Sequence, residues 1–443
     1  MALLTQLADP SVDTGASRHV LRGSVWFIAS LGIGAVGGFA FWSLAARLQP
    51  ASTVGQASAL FTAILFITYL TSMGLPVAVA KYGALDHPAT HSLWSWALVY
   101  TAGTSLLGTL GFLWIARWGF IDDLGAFSTW NLPAQAGFLF VMVTGMAFAV
   151  LVETRLATLR SWGWVLARVA VLAIGRLPLL FYGPLASNAV GLVVLMAGAP
   201  ALSGVLGVIA LHWTVPRPHR QMRVLPEHAR SALRFATVNW IGMLAAQAPQ
   251  FTVPLIIAAQ VSSAENAAFY LAWSMTTVAF LVPQTIGQVV VAEGSRDEGS
   301  ISHKVLVGFL TALAAMAVLA LGALLFAPLA TTIFGPSYAL TSAILPPLIA
   351  AGIPWVVTAM LLARSRVLGQ TWVTVGITVT FAALGLWLVA SGARRSGLEG
   401  AAYGWLIANG LAAGAAVIFT VVSHRWPNGA RRSRLVPLKI APR

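Results

Sequence analysis

Twelve stretches of this chain are apolar for about 20 residues or more, the length a helix needs to cross a bilayer. They lie near 24–45, 54–79, 93–116, 136–154, 163–182, 189–212, 237–259, 267–290, 304–327, 343–363, 372–391 and 400–422. Hydrocarbon offers no water to a backbone N–H or C=O, so only helices or a closed barrel can span it. These stretches are too long for barrel strands. The expectation is an all-α polytopic membrane protein. Composition agrees: 58% of the residues are hydrophobic and 9% charged, where a soluble domain would carry about 25% charged residues. The first two dozen residues are polar and include Asp9, Asp13, Arg18 and Arg22. The apolar run behind them, Val25 to Leu44, exceeds a signal-peptide core, so it is expected to remain as the first span.

Charge orients the spans. A net charge of +14 would point a soluble protein toward nucleic acid; here it points to loops retained in the cytoplasm. With the N-terminus inside, 21 of the 26 Lys and Arg residues fall on cytoplasmic loops and tails, and Arg47, Arg117, Arg394 and Arg395 fall outside. Arg176 alone falls within a span. Both termini are therefore expected in the cytoplasm, with the protein in the cell membrane. All eight His residues also fall on the cytoplasmic side, which rules out a histidine relay across the membrane. Cysteine is absent, excluding disulfides, thiolate metal sites and cysteine nucleophiles.

The longest polar connection, TVPRPHRQMRVLPEHARSALRF, divides the spans into two sets of six. The expected organisation is an N-terminal tail and lobe over 1–213, a basic linker over 214–236, a second lobe over 237–422 and a basic tail over 423–443. Aligning AARLQPASTVGQASALF with AAQVSSAENAAFYLAW sets Gly55 opposite Ala268, an offset of 268 − 55 = 213. Six helices per half give both copies one orientation, a parallel repeat.

Four stretches carry a family likeness: GSVWFIASLGIGAVGGFAFWSLAARLQPASTVGQASAL, TSMGLPVAVAKYGA (Thr71–Ala84), AENAAFYLAWSMTTVAFLVPQTIGQVVVAEGS (Ala264–Ser295) and SGLEGAAYGWLIAN (Ser396–Asn409). They resemble the opening helix, second-helix exit, eighth helix and last-helix start of the Wzx-type polysaccharide-biosynthesis flippases. Those proteins share a superfamily, MOP, with the MATE exporters and the lipid II flippases. The likeness is one of pattern over most of the chain. It implies two six-helix lobes around a central cavity that alternates between membrane faces. The implied substrate is a glycan or related cell-envelope precursor on an anionic polyprenyl-phosphate carrier. Implied partners are membrane lipid and the glycan polymerase or glycosyltransferases of such a pathway. No cofactor and no nucleic acid is expected.

Arg176 is the leading site candidate. An intramembrane arginine costs roughly 2.5–3.5 kcal/mol on insertion scales, and guanidinium offers paired donors to phosphate. The alternative is an outward snorkel past Phe181 and Tyr182. At the 213 offset its counterpart is Val389, so the charge belongs to one half only. Arg168, eight residues earlier, could face the same cavity near the cytoplasmic mouth, or simply obey the positive-inside rule. Glu153 with Arg155 and Arg160 suggests an internal ion pair. Lys81 and Arg47 close opposite ends of the first two segments, as gates or interfacial anchors. Asn239, Gln247 and Gln250, with Pro249 and Pro254, and Gln284 and Gln288, with Pro283, could bind sugar hydroxyls or bond helix to helix.

Other motifs point to packing. Gly32, Gly34, Gly37 and Gly38 contain a G-x-x-x-G spacing suited to close helix contact. His87 and His91 lie four apart, but Pro88 separates them and no carboxylates accompany them, so no metal site is expected. Asp122 and Asp123 share an external loop too short to build a glycosyltransferase acceptor site, so an enzyme is not expected. A MATE-like exporter of cations is the main alternative function. It would want a buried carboxylate, whereas every Asp and Glu falls in a loop, a tail or a helix end.

Overall fold

The computed structural model describes residues 10–83, 89–117, 124–214, 226–294 and 298–425, and every regular element among them is a helix. The first half contributes α1 (Pro10–Leu48), α2 (Ala51–Thr71), α3 (Leu75–Gly83), α4 (Ala89–Ile115), α5 (Leu132–Thr158) and α6 (Trp162–Leu179). The short α7 (Gly183–Ala186) and α8 (Ala189–Val193) follow, then a π-helical turn, Val194–Gly198, and α9 (Ala199–Thr214). The second half contributes α10 (Pro226–Ala258), α11 (Ser263–Gly294), α12 (Ile301–Phe326), α13 (Ala330–Phe334), α14 (Ala339–Ala350), α15 (Gly352–Val367) and α16 (Thr371–Arg425).

Ten stretches of these helices are long and apolar enough to cross a membrane. One of them, Thr371–Ser423, is more than twice the length of a span. Inside it Ser396 and Gly397 leave helical geometry, Gly397 at φ +59°, so α16 is two helices joined at a kink. α10 adds the shorter apolar stretch Leu244–Ala258. Each of the twelve expected segments is therefore helical. The chain is an all-α, multi-pass membrane protein.

Helix starts follow local chemistry. Asn131 Oδ1 accepts the Ala134 N–H at 3.0 Å, with Pro133 in the first turn of α5. α11 opens on a capping box: Glu265 Oε2 accepts the Ser262 N–H at 2.9 Å, and the Ser262 hydroxyl accepts the Glu265 N–H at 3.3 Å.

The second expected segment, 54–79, is not one helix. α2 stops at Thr71 and α3 begins at Leu75. Between them Met73 (φ 46°) and Gly74 (φ 69°) both occupy the left-handed region. Gly74 also lies against the Ala236 carbonyl, where a Cβ would collide. Pro76 in the first turn of α3 suits a restart, since its missing N–H would be unpaired there anyway.

Apolar residues sort by what they face. On α4 Leu106, Leu107, Leu110 and Trp114 are exposed, as lipid-facing residues are. Ala97, Thr101, Ser105 and Thr109 fill its buried face. Small residues let helices close on one another: Gly145 and Gly204 bring α5 and α9 together, and Gly37 sits against Ala173 where α1 meets α6.

The described residues group into two compact units. Unit 1 is Met1–Leu244 with Val261–Ser274 and Ile333–Tyr338; unit 2 is Ala245–Gln260, Met275–Thr332 and Ala339–Arg443. Thus unit 1 takes two short pieces from the second half of the chain. Two glycine contacts sit at a nearly matching offset. A Cβ on Gly37 would overlap Ala173 in unit 1, and one on Gly385 would lie 3.7 Å from Pro249 in unit 2. The two pairs are related by 249 − 37 = 385 − 173 = 212 residues, one less than the offset read from the sequence.

Candidate functional site

Within unit 1, α6 carries Arg176 in its last turn, 14 residues beyond Trp162 and three short of Leu179. A cation there is favoured by the helix dipole. The side chain does not snorkel outward. It is 7% exposed, while its neighbours Phe181 and Tyr182 are 68% and 58% exposed. Gly38 on α1 leaves room for it: a Cβ there would lie 3.9 Å from Arg176 Nη2.

The surroundings of this guanidinium are poor in acceptors. Nη1 donates to the Met196 thioether at 3.0 Å, a weak acceptor. The guanidinium carbon lies 5.7 Å from the centre of the Phe41 ring, within cation–π range. Among the described residues Nε has no hydrogen-bond partner and no carboxylate pairs with Arg176. Met196 sits in the π-helical turn Val194–Gly198, a local irregularity of the kind found at functional sites.

Aromatic residues complete the setting. Trp42 packs edge-on against Phe41 at 5.3 Å and against Tyr270 at 5.1 Å, and tilts over Phe61 at 5.9 Å. Tyr270 reaches unit 1 on the Val261–Ser274 piece. The indole N–H of Trp42, 2% exposed, also has no acceptor among the described residues. Arg176 thus presents a buried cation whose Nε–H no described residue accepts, a chemistry that suits an anion.

The other sequence candidates divide. Arg168 is already engaged: it pairs with Glu153, and its Nε donates to the Ser203 hydroxyl at 2.6 Å. Arg47 is exposed and donates through Nε to the Ile333 carbonyl at 3.0 Å, tying α1 to the Ile333–Tyr338 piece of unit 1. Lys81 is exposed at the end of α3. Gln247, Gln250 and Gln284 are half-buried in unit 2, and Gln288 is exposed there. No side chain of the four hydrogen-bonds another described residue. The side chain of Asn239, the pair Asp122 and Asp123, and the side chains of His87 and His91 lie outside the described residues. Among the described residues no group of three or more His, Cys, Asp or Glu could hold a metal ion.

Sequence reasoning missed Phe41, Trp42, Met196 and Tyr270. As apolar or aromatic residues inside apolar segments they stand out from nothing around them. Only Phe41 and Trp42, an adjacent aromatic pair beside the glycine stripe, left a faint signal.

No protein-family model matches the chain, and no curated protein matches it. Solved structures do. An inward-facing multidrug-resistance MATE family transporter of the MOP superfamily aligns with a TM-score of 0.66 at 16% identity, over 92% of this chain and 99% of its own. The lipid II flippase MurJ, in an inward closed conformation, aligns with a TM-score of 0.71 at 12% identity, over 90% of this chain and 87% of its own. An outward-facing MATE family transporter aligns at 0.62 with 15% identity, covering 94% and 96%. The chain has the all-helical fold that these MOP-superfamily proteins share.

Proposed function

We propose that this protein is a flippase that carries an anionic, polyprenyl-(pyro)phosphate-linked glycan or related cell-envelope precursor from the inner to the outer leaflet. One observation carries the reading: among the described residues Arg176 is a buried guanidinium with no carboxylate partner and no acceptor for its Nε–H, set beside the Met196 thioether and the Phe41 ring. A group kept in that condition is a binding group for an anion that comes and goes. Phosphate supplies the oxygen acceptors that Met196 does not, and guanidinium meets it with paired donors. The likeness in fold to MurJ, whose own substrate is lipid II, is in keeping with a lipid-linked substrate.

The direction is favourable without a coupling ion. Carrying one negative charge outward down an inside-negative potential gains roughly 2.3 kcal/mol per 100 mV, and a dianionic head gains about twice that. The exporter of cations fits less well. Glu153 already has Arg168 as its partner, which leaves it poorly placed to receive a cationic drug.

The test is scramblase-free vesicle transport of a fluorescent polyprenyl diphosphate by purified protein, with protein level and folding measured alongside. Arg176→Gln is expected to reduce transport by about 10-fold or more, the worth of one charge-assisted contact. Arg176→Lys retains the point charge but loses the fork, and is expected to fall between. Undiminished transport by the Gln variant would sink the assignment and leave Arg176 as a helix anchor.

A further inference from the structure

A guanidinium offers its N–H donors in two forks, an end-on fork of Nη1 with Nη2 and a side-on fork of Nε with Nη2. Bidentate recognition of a phosphate uses one fork. The forks of Arg176 are not equally open. Nη1 already donates to the Met196 sulfur at 3.0 Å, so a thioether covers the end-on fork. On the side-on fork, Nε has no acceptor among the described residues. Its partner Nη2 lies against Gly38 of α1, where no side chain bars the approach.

Gly38 differs from the glycine beside it. A Cβ on Gly37 would overlap Ala173, so Gly37 serves the contact of α1 with α6. A Cβ on Gly38 would lie 3.7 Å from Met196 Cε and 3.9 Å from Arg176 Nη2, both ordinary van der Waals distances. Helix packing therefore does not require glycine at 38. A methyl group there would instead take the room that an oxygen needs beside Nη2.

The other neighbours of the guanidinium discourage a second anion. The Phe41 ring presents its face to the guanidinium carbon at 5.7 Å, and that face carries partial negative charge. The Met196 sulfur contributes lone pairs and no donor. Arg168 lies eight residues back, about 12 Å along the axis of α6, and is held by Glu153. Arg176 thus has one open fork and one charge to give.

We propose that Arg176 receives a single phosphate on its Nε–Nη2 fork beside Gly38, and that the preferred lipid is joined to its glycan through one phosphate rather than two. This rests on the flippase reading above and narrows it. A phosphodiester between lipid and sugar carries one negative charge, which the guanidinium neutralises. A diphosphate carries two. It binds the fork through one phosphate, leaves the other without a partner where water is scarce, and is carried more slowly. Met196 and Gly38 are the specificity-determining residues: the first closes one fork and the second keeps the other open.

The test offers purified protein in vesicles two fluorescent polyprenyl lipids of the same chain and sugar, one joined by a phosphate and the other by a diphosphate. The monophosphate lipid is expected to move about 10-fold faster or more, the worth of a charge left unanswered. Gly38→Ala should keep or raise Tm and lower monophosphate transport by about 10-fold. Gly32→Ala, on the same helix with nothing within 4 Å, should transport as the parent does. Met196→Lys sets a cation at the covered fork and should cut the preference for monophosphate severalfold; should that variant not fold, the parent's preference and Gly38→Ala decide alone. Equal or faster transport of the diphosphate lipid, or undiminished transport by Gly38→Ala, overturns this inference. With Arg176→Gln still impaired, such a result leaves the flippase reading standing. If the parent moves neither lipid, both fall.

Discussion

Arg168 and Arg176 ride the same helix two turns apart, and their neighbours give them different work. Arg168 has a carboxylate and a hydroxyl, so its charge is answered within the fold. Arg176 has neither. Glu153 keeps 39% of its side chain exposed and Arg168 12%, so solvent screens the pair and it is worth less than a fully buried one. Glu153→Gln should cost about 1–3 kcal/mol by leaving Arg168 half-answered. Replacing both, Glu153→Leu with Arg168→Met, should recover most of that, measured by thermal unfolding. If transport stays impaired in the recovered double variant, Arg168 also guides substrate. Normal transport would confine it to structure. At this scale the sequence revealed Arg176 because a charge in an apolar stretch is conspicuous. Its ring and thioether partners are ordinary membrane residues and were hidden.

Among the elements, α1 shows how little room its contact with α6 leaves. Gly37 lies where a Cβ would overlap Ala173, while Gly32, on the same helix, has nothing within 4 Å. Gly37→Ala should therefore destabilise by about 1–3 kcal/mol through forced separation of α1 and α6. Gly32→Ala should be neutral or slightly stabilising. Equal effects in unfolding experiments would show that the two helices can part at no cost. The helices themselves were readable because hydropathy alone dictates them. The break at Ser72–Gly74 was not, since an apolar run of 54–79 looks continuous. Its only written signs are Gly74, able to take a positive φ, and Pro76, suited to a helix start. What holds it open is tertiary: the Thr104 hydroxyl on the Thr71 carbonyl, and Ala236 against Gly74.

For the whole molecule, the Lys and Arg distribution makes a claim about sidedness that a chain without cysteine is well suited to test. A cysteine at Ser128 should react with an impermeant thiol reagent in intact cells, and one at Ser231 should react only after permeabilisation. The reverse pattern would invert both the orientation and the proposed direction of transport. The sequence suggested a division at the linker, but the make-up of unit 1 was not legible, because Val261–Ser274 and Ile333–Tyr338 carry no mark of where they settle. Asn266, 3% exposed, donates to the Gly55 carbonyl at 2.8 Å, and Arg47 to the Ile333 carbonyl at 3.0 Å. These bonds bear on biosynthesis. When Leu244 leaves the ribosome, unit 1 still lacks two of its pieces, and the last, ending at Tyr338, emerges about 5–20 s later at ordinary elongation rates. For about the first 1–5 s of that interval the Gly55 carbonyl has no Asn266 and Trp42 has no Tyr270, and until its end Arg47 has no Ile333 carbonyl. A nascent first half is thus an unfinished body that must be held in the membrane, and a gene cut at the linker would make two fragments of which the first cannot mature without the second.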